Sequence, residues 1–188
     1  MRIAVIGWGS LIWSERELEV EKGSWRSDGP LLPVEFSRIS SDRRLTLVID
    51  PRFRDITTYW KLSALKKVAD ARENLRIREV TPDLKDIGYL DITNGGFGIG
   101  NSKRYLLNRI ESWMIRHQLD ASIWTDLEPR FEQITGNDLN LENATEFLST
   151  LSGDPLRRAF EYIVNTPQQT VTELRDGLEN FIKGRAPD

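Results

Sequence analysis

The first few residues constrain this chain most. Ile3-Ala4-Val5-Ile6 is a compact apolar run that stops at Gly7-Trp8-Gly9-Ser10. An apolar run closed by glycine and serine reads as a buried strand emptying into a loop. Strand patterns continue downstream. Residues 33–39 alternate apolar and polar side chains, and 45–49 follow across a turn at 40–44, which together predict a β-hairpin. Residues 56–62 carry the β-branched and aromatic content that suits a pleated surface, and 87–92 read as one more strand. The segment 14–30 is charged and irregular and is expected to be a surface excursion.

Helical patterns enter with Ser63, which stands where an N-cap belongs ahead of Leu65, Val68, Ala71 and Leu75. That helix is expected to end near 78–80, because Pro82 disfavours helical dihedrals at the residue before it. A glycine-rich turn is predicted over 94–100, as a loop at a pocket rim. A helix follows over 103–118 with Leu106, Leu107, Ile110, Trp113 and Met114 facing inward. Residues 121–124 read as a short strand, and Thr125 with Glu128 fits a capping box that opens another helix. Further helices are expected over 142–151, 155–164 and 171–183. Strands dominate the first half and helices the second, so the expected class is α+β, one domain with a β-rich core over 1–103 and a mostly helical extension over 104–188.

Composition narrows the function. With 26 basic and 29 acidic residues the formal net charge is −3, which offers no bulk attraction to nucleic acid or to an anionic membrane. No stretch approaches the roughly 20 apolar residues of a membrane span. The absence of cysteine excludes disulfides and thiolate chemistry and suits a reducing compartment, so a cytoplasmic location is expected. The single histidine, His117, excludes a multi-histidine metal site and reads as a residue at a helix C-terminus.

A strand followed by G-x-G is also how a dinucleotide-binding fingerprint begins. Here Ile12 replaces the third, small residue, Trp13 leads into an irregular stretch rather than a phosphate-binding helix, and no acidic residue closes a second βαβ strand. The stretch Trp8-Gly9-Ser10-Leu11 instead resembles the aromatic-Gly-Ser-Leu motif of gamma-glutamylcyclotransferase-like proteins, and Leu75-Arg76-Ile77-Arg78-Glu79 resembles the Leu-x-x-Arg-Glu stretch of their ChaC-type branch, which acts on glutathione. The resemblance covers roughly residues 1–92, with tryptophan at a position where the family uses tyrosine or phenylalanine. It implies a gamma-glutamylcyclotransferase-like mixed sheet or barrel. It also implies an activity that cyclises a γ-glutamyl amine or peptide to 5-oxoproline without metal or cofactor.

On that resemblance Glu79 is the acid and base, and Trp8, Gly9, Ser10 and Leu11 bind the substrate α-carboxylate through backbone N–H groups and the Ser10 hydroxyl. Glu73 can be laid on another family variant. Asp126, just after the 121–124 strand, is a candidate for binding the substrate ammonium. Without the resemblance, Gly9-Ser10 fits a plain turn and Glu79 fits a solvated helix-end residue paired with an arginine. A silent module of the same fold that binds a carboxylate metabolite or a protein partner is the alternative. The leaving amine and the oligomeric state stay open.

Overall fold

A computed structural model of the chain describes residues 1–185. Strand β1 (Ile3–Gly7) leads into a single helical turn, α1 (Ser10–Trp13). Strands β2 (Leu31–Ile39), β3 (Leu45–Ile49), β4 (Asp55–Thr57) and β5 (Tyr59–Leu62) follow, then helix α2 (Val68–Glu79). A short 3-10 turn opens β6 (Ile87–Asp91), which pairs with β7 (Gly96–Gly98). Helix α3 (Arg104–Arg116), strand β8 (Ala121–Thr125) and helices α4 (Phe131–Thr135), α5 (Leu141–Ser149), α6 (Gly153–Asn165) and α7 (Arg175–Lys183) complete the fold. Strands and helices are mixed, as expected of an α+β protein.

Two sheets result, one in the order β5-β1-β8-β6-β7 and one in the order β3-β2-β4. The parallel β1–β8 pair sits inside the larger sheet, so a strand from the mostly helical part of the chain neighbours the first strand. All five residues of β1 are buried. Alternation divides them: Ile3 and Val5 join Ala71 and Leu75 of α2 on one face, while Ala4 and Ile6 join Trp60, Trp124 and the inner face of α3 in the main core. Each fully buried isoleucine, valine or leucine among them contributes about 1.5–3 kcal/mol.

Several elements differ from the sequence reading. The segment 56–62 is two strands, β4 paired with β2 and β5 paired with β1, so one stretch of chain passes from sheet to sheet. It breaks at buried Thr58, whose N–H and hydroxyl both donate to the Pro30 carbonyl (3.3 and 2.7 Å). Ser63 does not cap α2, which starts at Val68 after Lys67. Its hydroxyl accepts from the Leu65 N–H (3.1 Å) in a local turn. Thr125 ends β8 and begins no helix, because residues 127–130 run irregularly before α4. The predicted 94–100 turn holds an edge strand, β7. The last helix is shorter than 171–183. The chain before it is held by Glu35 of β2, whose buried carboxylate accepts from the N–H groups of Glu173 and Leu174 (2.8 and 3.2 Å). No helix among the described residues is long and apolar enough to cross a membrane.

Candidate functional site

Where β1 ends, the backbone does something an ordinary residue resists. Gly9 has φ 61° and ψ −138°, a region close to glycine-only territory. A β-carbon there would also collide with the Tyr162 hydroxyl. The turn opens α1, whose first N–H groups have no intrahelical acceptor. The Trp8 indole is buried and donates to the Leu47 carbonyl (3.1 Å), while the Leu47 N–H donates to the Tyr162 hydroxyl (3.3 Å). Since β3 is an edge strand, these two side chains satisfy backbone groups it would otherwise leave unpaired.

The other half of the site comes from the end of α2. The helix closes with the Val80 N–H on the Ile77 carbonyl (3.0 Å) and the Thr81 N–H on that of Arg76 (3.3 Å). Val80 sits in the left-handed region at φ 54° and ψ 36°, although it is β-branched and 79% exposed. Glycine is the usual residue at such a position, so the helix end is strained next to Glu79.

Arg78 joins the two halves. Its side chain is only 4% exposed and donates to the Glu79 carboxylate (2.7 Å), to the Ser14 carbonyl (2.6 Å) and to the Ser10 hydroxyl (3.3 Å), 68 residues away in sequence. Its Nε is buried with no partner among the described residues. The donation engages one oxygen of Glu79, whose side chain is 16% exposed.

Trp8, Ser10, Leu11, Arg78, Glu79 and Tyr162 line one cavity of about 570 Å³, a size suited to a small molecule. Five arginines (Arg16, Arg38, Arg44, Arg78, Arg130) and three carboxylates (Asp42, Glu79, Asp86) also border it, so it is locally cationic in an acidic protein. A recess of about 470 Å³ adjoins it, sharing Ser10, Arg16, Asp42, Arg44 and Tyr162.

The expected residues thus divide. Trp8, Ser10, Leu11 and Glu79 meet at the cavity, and Gly9 shapes its wall beneath Tyr162. Glu73 lies on the exposed face of α2, clamped by Arg76 at 2.7 Å. That hydrogen bond holds its carboxyl below the usual range. Asp126 does not line the cavity. Its carboxylate accepts from the N–H groups of Gly100 (2.6 Å) and Ser102 (2.8 Å) and from the Ser102 hydroxyl, so it fastens the chain ahead of α3 instead of facing a substrate ammonium. Burial pushes its carboxyl upward despite those donors. Residues 94–100 are likewise off the cavity rim.

Tyr162 was not foreseen from sequence. Its ring packs edge-on to Trp13 at 5.4 Å and Phe36 at 6.4 Å. Burial, followed by the nearby negative charge of Glu79, pushes its phenol up to about 12, against the Leu47 N–H that favours ionisation. It therefore stays protonated at neutral pH, and nothing among the described residues accepts its proton. The only sequence signal was a hydroxyl-tipped aromatic on the inner face of an amphipathic helix, a pattern shared by ordinary core tyrosines.

Comparison of the chain with protein-family models, curated proteins and solved structures gave no match.

Proposed function

We propose that this chain is a gamma-glutamylcyclotransferase-like enzyme that cyclises a γ-glutamyl amine or peptide to 5-oxoproline and releases the amine. One observation carries the reading: a single buried guanidinium, Arg78, binds both the Glu79 carboxylate and the Ser10 hydroxyl at the wall of one cationic cavity. The cavity's arginines and the N–H groups opening α1 suit a substrate with an α-carboxylate.

In the reaction the substrate α-amine attacks its own γ-carbonyl carbon, the new C–N bond closes the ring, and the old C–N bond breaks to free the amine. The Glu79 oxygen not held by Arg78 takes one ammonium proton and passes it to the departing nitrogen, and the second proton, shed by the ring nitrogen as it becomes an amide, leaves with the freed amine as its ammonium form. Tyr162, still protonated, donates a hydrogen bond to the oxyanion that develops at the γ-carbonyl. The cavity folds the substrate so that amine and carbonyl meet, which supplies the proximity such a closure needs. A cysteine-free chain doing this chemistry fits the cytoplasm, with a small γ-glutamyl molecule as its partner.

The test is incubation with a panel of γ-glutamyl amines and peptides, followed by assay for 5-oxoproline. Turnover that Glu79→Gln abolishes supports the reading. Saturable binding of the panel without turnover, in the wild type as in Glu79→Gln, supports instead a silent carboxylate-binding module. The Arg78–Glu79 ion pair favours that second reading to the extent that it holds the carboxylate as a structural anion.

A further inference from the structure

The hairpin joining β6 to β7 lies away from the cavity, and its tip holds a reactive pair. Residues 92–95 connect Asp91 to Gly96, which face each other across the two strands. Within that turn Asn94 is followed by Gly95, and both are exposed. No other asparagine of the chain precedes a glycine. Gly95 has φ 73°, in the left-handed region, with open space where a side chain would stand. The turn needs glycine for that conformation, and glycine leaves its own nitrogen unshielded beside the Asn94 side chain. The Gly95 N–H makes no hydrogen bond among the described residues.

Two hydrogen bonds orient the Asn94 side chain. Its Oδ1 accepts from the Gly96 N–H (2.8 Å), which curls the side chain forward along its own backbone and brings Cγ over the intervening Gly95 nitrogen. The same bond polarises the amide carbonyl and places a donor where negative charge develops when Cγ is attacked. Its Nδ2 donates to Asp91 Oδ2 (3.1 Å), while Asp91 Oδ1 accepts from the Thr93 N–H (3.0 Å) and hydroxyl (2.7 Å). Nucleophile and electrophile therefore belong to adjacent residues held in one tight turn, which supplies the proximity an intramolecular ring closure needs.

We infer that Asn94 is a site of spontaneous deamidation and that its conversion loosens the β6–β7 hairpin. Hydroxide takes the Gly95 amide proton, the nitrogen attacks Asn94 Cγ, and a succinimide ring closes. The Cγ–Nδ2 bond breaks, and the departing nitrogen takes a proton from water and leaves as ammonia. Water then opens the ring at one of its carbonyls. Cleavage between Cγ and the ring nitrogen leaves an aspartyl residue. Cleavage between the main-chain carbonyl and that nitrogen leaves an isoaspartyl residue, whose backbone is longer by a carbon. Either product replaces the donor facing Asp91 by a carboxylate and adds a negative charge to a chain of formal net charge −3. Like charges at that separation repel, and the longer backbone of the isoaspartyl form disturbs the opposition of Asp91 and Gly96. The inference does not depend on the cyclisation reading.

The decisive experiment incubates the folded wild type in warm, mildly alkaline buffer and follows it by ion exchange, peptide mapping by mass spectrometry and isoaspartate detection. A more acidic species is expected to accumulate, with aspartyl and isoaspartyl forms at position 94 and with Asn101 and Asn137 intact. Asn94→Gln is expected to lose that species, because its longer side chain closes a ring less readily. Gly95→Ala is expected to form it more slowly, because a side chain shields the nitrogen. Alanine is strained at φ 73°, so its melting temperature is checked, and Asn94→Gln carries the test if Gly95→Ala is unfolded. Intact Asn94 in the wild type, or equal conversion of Asn101 and Asn137, overturns the site. An acidic species that persists in Asn94→Gln overturns it as well, and a folded Gly95→Ala that converts at the wild-type rate overturns the part given to Gly95. The loosening is read from Asn94→Asp, which is expected to lower the melting temperature and to speed amide exchange at 96–98. Exchange there equal to that of the wild type overturns the effect on the hairpin.

Discussion

Two regions of this molecule bury aromatic rings beside charged side chains, and they treat polar atoms in opposite ways. Around Trp60, the indole and imidazole nitrogens are all paired. The Trp60 indole donates to Asp28 (2.8 Å), the Trp113 indole to the Asp28 carbonyl (2.8 Å), and the two His117 nitrogens lie against the Trp113 carbonyl and the Asp28 carboxylate (2.9 and 3.1 Å). The rings stack edge-on, 5.3 Å apart, with Arg26 over Trp60 at 4.3 Å. Around Glu79 the accounts stay open. Arg78 Nε has no partner among the described residues, and Gly9 and Val80 hold conformations that side chains resist. Pairing is thus complete among the ring nitrogens around Trp60 and incomplete around Glu79, although unpaired buried hydroxyls such as those of Thr170 and Thr172 lie elsewhere too.

The sharpest way to break this contrast is Glu79→Gln. The amide oxygen still accepts from Arg78, so the fold is retained, but the proton acceptor is gone. Release of 5-oxoproline is expected to fall by about 10²–10⁴. Glu73→Gln, on the exposed face of the same helix, is expected to leave the rate as it was. A collapse with Glu73→Gln and none with Glu79→Gln would reverse the assignment.

The converse substitution is Trp60→Ala. Removing a side chain that is 1% exposed is expected to cost about 3–5 kcal/mol in denaturant unfolding. Activity measured on the remaining folded protein should be intact. Loss of activity beyond loss of folded protein would show that the two regions are coupled.

Ser10→Ala tests the binding loop more gently. One hydroxyl is lost while the backbone N–H groups remain, so substrate binding should weaken by about 0.5–1.5 kcal/mol, read as a rise in KM. Val80→Gly tests the strain. Replacing an exposed β-branched residue in the left-handed region by glycine is expected to raise stability by about 0.5–1 kcal/mol, with turnover kept because the helix still ends at the same residue. A destabilised Val80→Gly would mean that the valine side chain makes a contact worth more than the strain.

The smallest effect is a pH dependence in the closed region. The Trp60 indole, aided by His117, holds the Asp28 carboxyl below its ordinary 3.8. A depressed carboxyl contributes stability that is present above the ordinary value and lost as pH falls through the lower folded one. Wild type should therefore exceed Asp28→Asn in melting temperature at neutral pH, and the difference should shrink as the medium is acidified below pH 3.8. A gap that widens on acidification would contradict the assigned bond.

The sequence by itself determined the local parts. Ile3 to Ile6 ending at glycine marked a buried strand and a tight turn. The 33–39 and 45–49 alternation marked the hairpin, and the spacing of Leu106, Ile110 and Trp113 marked the inner face of a helix. These features are written in residues a few positions apart, where period and turn chemistry act directly. Glu79 was legible for the same reason, as the last residue of a helix that a nearby proline must stop.

Tertiary structure decided everything that depends on distant partners. The residues of 56–62 all favour a strand, yet only the competition of β2 and β1 for their backbone groups splits them at Thr58 between two sheets. Asp126 was a free carboxylate in sequence, and the Gly100–Ser102 amides claimed it. Tyr162, Arg38 and Arg130 are ordinary residues in their own segments. They come to line one cavity only when the chain folds, and neither burial nor electrostatic neighbourhood can be read from residues that meet only then.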